Sequence, residues 1–115
     1  MVNKNDTNIK MIQIESKSQL LELVSNNENV IVDFYADWCG PCKMLMPLLT
    51  KLSEEHKNVT FCKVNVDANA ELSIDYKIQS IPHVFFIKNG EIVHEFKGIQ
   101  SKPQIINSIK KHFPE

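Results

Sequence analysis

Apolar residues recur along this chain on two alternating rhythms, one of period two or continuous, the other of helical spacing. Residues 11–14, Met-Ile-Gln-Ile, predict a short strand. Ser16 followed three residues later by Gln19 has capping-box spacing, and Leu20, Leu21, Leu23 and Val24 continue on one helical stripe. The polar run 26–29 ends that helix in a turn. Residues 30–36 are apolar on both faces, interrupted only by Asp33, which suits a central strand covered on two sides. From Pro41 to His56 the helical period returns, with Met44, Leu45, Leu48, Leu49 and Leu52 on one face. Pro47 inside it removes a backbone donor and should bend the helix. Residues 59–66 alternate as a strand, and Asp67 or Asn69 caps a short helix reaching about Tyr76. Ser80-Ile81-Pro82 breaks the pattern. A continuous apolar strand spans 84–87, Asn89-Gly90 is a strong hairpin signal, and 92–96 is the return strand, ended by Gly98. Ser101 and Gln104 repeat the capping-box spacing around Pro103, ahead of a last helix carrying Ile105, Ile106 and Ile109.

The order β-α-β-α-β-α-β-β-α predicts an α/β fold, with parallel strands in the alternating part and an antiparallel edge from the hairpin. Its 115 residues suffice for one core. Residues 1–9 are expected to form a flexible tail and residues 10–115 the single domain. Hydrophobic residues make up 43% and charged residues 23%, an ordinary soluble composition. The net charge of -1 and the lack of any arginine leave no basic footprint for nucleic acid. No apolar run approaches membrane-spanning length, so no membrane partner is expected.

Three cysteines are too few for a secreted disulfide framework, and the polar N-terminus shows no apolar signal segment. A reducing compartment is expected, the cytoplasm ahead of an organelle. There a close cysteine pair serves metal binding or catalysis rather than a structural staple. Cys39 and Cys42, in Trp38-Cys39-Gly40-Pro41-Cys42-Lys43, fall where a strand hands over to a helix. The free N–H groups and dipole of a helix N-terminus favour a thiolate there. Cys39 is then the exposed attacking nucleophile, and Cys42, one turn further in, the buried resolving thiol. Pro41 stiffens the ring between them. The alternative is half of a zinc site, for which His56 and Cys62 are the available further ligands, but no second knuckle completes it.

With Val32-Asp33-Phe34 before the cysteines, Lys63-Val64-Asn65-Val66-Asp67, Tyr76-Lys77-Ile78-Gln79-Ser80-Ile81-Pro82, Lys88-Asn89-Gly90 and Gly98, the chain resembles the thioredoxins from about Lys10 to its C-terminus. The resemblance implies the thioredoxin fold, a central mixed five-stranded sheet flanked by four helices. It implies a protein-disulfide reductase whose electrons come from NADPH through a thioredoxin reductase, with no bound cofactor beyond a redox-active Cys39–Cys42 disulfide. Implied substrates are disulfide-containing proteins such as peroxiredoxins, ribonucleotide reductase and methionine sulfoxide reductase, met by a monomer. By the same match Asp33 is the proton acceptor for Cys42, with a pKa raised by its apolar surroundings. Lys63 tunes Asp33, and Pro82 follows a cis bond opposite the cysteines. Trp38, Gly40, Pro41, Ile81, Pro82 and Gly98 form the substrate surface. Glycine-proline between the cysteines goes with reduction in this family, which disfavours an oxidase or isomerase. A binding module of the same fold would need none of these side chains together.

Three positions depart from the family pattern. His83 stands where threonine is usual, and is expected to start a strand and face solvent, with electrostatic tuning of the thiols as the alternative. Tyr35 replaces a second tryptophan. Cys62 is extra and is expected to be a small buried hydrophobe.

Overall fold

The computed structural model describes residues 11–115. The tail expected over residues 1–9 lies outside them. Among the described residues five strands and four helices follow in the order β1 (Ile12–Ile14), α1 (Lys17–Asn26), β2 (Asn29–Tyr35), α2 (Gly40–Glu55), β3 (Thr60–Asn65), α3 (Ala70–Asp75), β4 (His83–Lys88), β5 (Glu91–Lys97) and α4 (Lys102–His112). One mixed sheet results, in the order β1-β3-β2-β4-β5.

β1 and β2 flank β3 in parallel, as alternation of strands and helices requires. β4, however, runs antiparallel to β2 as well as to β5. The expectation that only the hairpin would be antiparallel is corrected here. The connection from β3 to β4 carries the six-residue α3 and returns the chain to the same end of the sheet. β4 therefore starts at the end where β2 and β3 finish. His83 lies opposite Phe34, so Pro82 arrives beside the C-terminal end of β2, where the cysteines follow.

Side chains alternate across the sheet and build two apolar layers. Ile31, Val84 and Phe86 pack with Leu45, Leu49 and Leu52 of α2 and Ile105 and Ile109 of α4. Val32, Phe34, Cys62, Val64 and Phe85 pack with Leu20 of α1 and Leu72 of α3. Each fully buried Leu, Ile or Phe contributes about 1.5–3 kcal/mol. Met44, expected on the core face of α2, is instead 70% exposed. The buried stripe runs through Cys42, Leu45, Leu49 and Leu52, and Met44 lies about 100° off it.

Local signals act as their chemistry dictates, with exceptions. Ser101 forms a full capping box with Gln104 at the head of α4. At α1, Ser16 Oγ accepts from the Gln19 N–H, but the Gln19 side chain accepts from the Glu15 N–H rather than that of Ser16. That box is half made. α3 starts after Asn69 without a side-chain cap, and the Asn69 side-chain amide donates instead to the Asn65 carbonyl at 3.0 Å. Asn89 and Gly90 take φ values of 51° and 82°, the two left-handed residues of a two-residue hairpin. α2 continues through Pro47 as one helix.

Candidate active site at the head of helix α2

β2 ends at Tyr35, a short turn follows, and α2 begins at Gly40 with Cys39 as its N-cap. The cap is unusual in being a sulfur: Cys39 Sγ accepts from the Cys42 N–H at 3.2 Å. Pro41 occupies the first turn, where a missing N–H costs nothing. Cys39 and Cys42 are joined as a disulfide, with Cα atoms 5.3 Å apart. Opening it leaves the Cys39 sulfur facing a backbone donor and the positive end of a sixteen-residue helix.

The two cysteines are not equally accessible, but both are buried: Cys39 is 5% exposed and Cys42 1%. The order agrees with the sequence reading; the openness of Cys39 does not. Ala36 packs against the pair, and Tyr35, Val66 and Ile81 close around them. The bond between Ile81 and Pro82 is cis. Cys39 Sγ lies 3.8 Å from the Ile81 carbonyl. The Gly98 N–H donates to the Pro82 carbonyl at 2.8 Å, and Gly98 has φ 77°, a conformation suited to glycine. The loops at Ile81 and Gly98 are thus joined to each other beside Cys39.

Trp38 is 70% exposed, and its Nε1 donates to Asp67 at 2.9 Å. Packing of Trp38 into the core is excluded by that exposure. Asp67, expected from sequence as a possible helix cap, instead accepts this indole hydrogen bond; a cap and an indole acceptor look alike in sequence. Gly40 and Pro41 are exposed next to Trp38.

Asp33 is fully buried on β2, on the face covered by α2, and both of its carboxylate oxygens lack a hydrogen-bond partner among the described residues. Burial pushes its pKa up, and the Lys63 charge pulls it partly back, leaving it at about 7. Lys63 is its neighbour in the parallel β2–β3 register, with Nζ 5.8 Å above the Tyr35 ring. Cys42, Lys63, Tyr35, Lys43 and Met46 line one cavity of about 310 Å³. Cys42 and the lysine beside Asp33 therefore share a space.

His83 is buried, which corrects its expected place in solvent. Its ring stacks on Phe85 at 4.2 Å, and its Nε2 meets Glu95 Oε1 at 2.8 Å. Its strand neighbours put it on the sheet face opposite Asp33. Cys62 is fully buried, on the His83 face, as expected. His56 caps the C-terminus of α2. The structure does not gather these two with the cysteine pair, and among the described residues no three His, Cys, Asp or Glu side chains are grouped to hold a metal. No helix among them is long and apolar enough to cross a membrane.

The thioredoxin family model matches residues 8–111. A thioredoxin of Mycoplasmoides gallisepticum is 41% identical over 100 residues, covering 87% of this chain and all of that protein. The structure of a mutant thioredoxin from Halobacterium salinarum superposes with TM-score 0.84 at 32% identity, covering 90% of each chain. A chain from a yeast structure described as the thiol resolving mechanism of mitochondrial 1-Cys peroxiredoxin via glutathione/thioredoxin systems superposes with TM-score 0.81 at 28% identity, over 88% of this chain and 94% of that one. A redox-active cysteine pair capping a helix, set in a mixed five-stranded sheet that these proteins share along nearly their whole length, leaves one assignment: the chain belongs to the thioredoxin family of protein disulfide oxidoreductases.

Proposed function

We propose that this chain reduces disulfides in target proteins and is itself recharged by a thioredoxin reductase drawing on NADPH. The observation that carries the reading is the Cys39–Cys42 disulfide at the head of α2, with the Cys39 sulfur beside the Ile81 carbonyl. In the reduced protein the Cys39 thiolate attacks a substrate disulfide, forms a mixed disulfide and expels the first substrate thiolate. Asp33 takes the Cys42 proton, and the Cys42 thiolate attacks Cys39. The second substrate thiolate leaves, the Cys39–Cys42 bond forms, and two electrons have passed to the substrate. A carboxyl with a pKa of about 7 is suited to exchange that proton near neutral pH. Lys63 limits how far that value rises.

The substrate surface in this reading is Trp38, Gly40 and Pro41 on one side of Cys39, with Ile81, Pro82 and Gly98 on the other. Peroxiredoxins are the first class of target to try, given the context of the yeast structure. Ribonucleotide reductase and methionine sulfoxide reductase follow from the family alone. The compartment proposed is the cytoplasm, with an organelle as the alternative that the mitochondrial context of that yeast structure keeps in view. Residues 1–9 are taken as a tail to a domain of residues 10–115.

The test is NADPH oxidation in the presence of a thioredoxin reductase and insulin. Turnover should depend on the added chain. A chain that dithiothreitol reduces, but that supports no NADPH oxidation and no insulin reduction, would overturn the proposal.

A further inference from the structure

The exchange reaction leaves His83 without a task, although it follows Pro82 directly and begins β4. Its Nδ1 is buried and has no partner among the described residues, so the ring is fixed by its stack on Phe85 and by the Nε2 contact to Glu95. Glu95 lies opposite Phe85 in the β4–β5 register, and the contact therefore runs diagonally between the strands. β5 is an edge strand in which Phe96 alone is buried. The pairing of β4 and β5 is also irregular at Phe86 and Ile87. The strand that leads to Gly98 is paired with β4 down to Lys97 opposite His83, and the Gly98 N–H bonds the Pro82 carbonyl; the His83–Glu95 contact adds a side-chain tie between the same two strands beside that junction. A threonine, usual here in the family pattern, ends at its γ atoms, two bonds short of the imidazole Nε2.

We propose that the His83–Glu95 pair is a positioning device for protein substrates, holding the Gly98 loop at a set distance from the Ile81–Pro82 loop. A substrate chain touching both loops then meets them already spaced. A small disulfide that reacts only at Cys39 gains nothing from that spacing. The proposal rests on the reading of Ile81, Pro82 and Gly98 as substrate surface, and His83 acts through them rather than on the sulfurs.

The experiment compares insulin with bis(2-hydroxyethyl) disulfide, using dithiothreitol as electron donor for the first and pre-reduced protein for the second. Glu95→Ala should raise the KM for insulin about fivefold, the effect of one modest hydrogen bond, with kcat and the small-disulfide rate within about twofold of wild type. Glu95→Gln keeps an acceptor for Nε2 and should restore the KM. His83→Thr should match Glu95→Ala, and the double variant should add nothing further. Glu95 is half-exposed, so its variants test the proposal even if His83→Thr fails to fold. An unchanged insulin KM in Glu95→Ala, or an equal loss against both disulfides, overturns the positioning role. A wild-type protein that reduces the small disulfide but not insulin overturns the proposed function, and the positioning role with it.

Discussion

Asp33 and His83 sit on neighbouring strands of one sheet, both buried, yet the fold treats them in opposite ways. His83, on the face of α1 and α3, reaches a carboxylate whose other side is in water. Asp33, on the face of α2 and α4, has no partner for either oxygen among the described residues. Satisfying a buried polar group is the rule, and an orphaned carboxylate costs stability whenever it ionises. A purely structural aspartate at that position has no account in these contacts. The proposed role as a proton acceptor does, because a partner strong enough to satisfy Asp33 would also hold its pKa down.

The largest effect should come from Cys39→Ser. Insulin reduction should fall by more than about a thousandfold, since the attacking group is gone. Stability should hardly follow. Cys39 also caps α2 through its sulfur, and serine is among the best N-cap residues. Urea denaturation of the reduced wild type and the variant should give similar midpoints. If activity and stability collapsed together, Cys39 would be chiefly a structural cap.

Asp33→Asn probes the contrast between the two faces directly. The folded protein holds the Asp33 proton up to about pH 7, the unfolded chain only to about 3.8. Between those values the folded state binds more protons, so wild-type stability falls as pH rises through that window. The difference corresponds to on the order of 4 kcal/mol above pH 7. Asparagine cannot ionise, so the variant should be the more stable protein at pH 8.5, with its advantage shrinking to nothing near pH 4. Denaturant midpoints across that range measure it. In the same variant the resolving step should slow by roughly a hundredfold near neutral pH. A variant no more stable at pH 8.5 would mean that water or Lys63 already satisfies the carboxylate.

The same two residues mark how far the sequence could be read. Asp33 was legible because apolar neighbours on both sides leave a strand aspartate nowhere polar to go. The cysteine pair was legible because turn, proline and helical period fix its place. His83 was not, since its burial depends on Phe85 two residues on and Glu95 twelve residues on. Sequence spacing carries no such diagonal contact. The antiparallel sense of β4 was hidden for a related reason: the connection from β3 is long enough to return at either end of the sheet, and no local pattern decides which. Asp67 and Met44 were placed by local rules, capping and helical period, that tertiary contacts overrode.

The smallest effect expected sets one buried thiol against another. Cys62 lies on β3 in the His83 layer, one residue from Lys63, and is as buried as Cys42. It heads no helix. Burial pushes its thiol pKa up, and the Asp33 charge pushes it further the same way. At neutral pH it stays protonated and unreactive. Iodoacetamide should modify Cys39 in the reduced native protein and spare Cys62 until the chain is unfolded, as peptide mass spectrometry would record. Cys62→Ala should cost about 1 kcal/mol of stability from lost packing, with insulin reduction unchanged. Native-state alkylation of Cys62 at a rate near that of Cys39 would show that the helix terminus does not set the two thiols apart. On these contacts it is the helix terminus, not the element sulfur or its depth, that makes a cysteine of this sheet exchange disulfides.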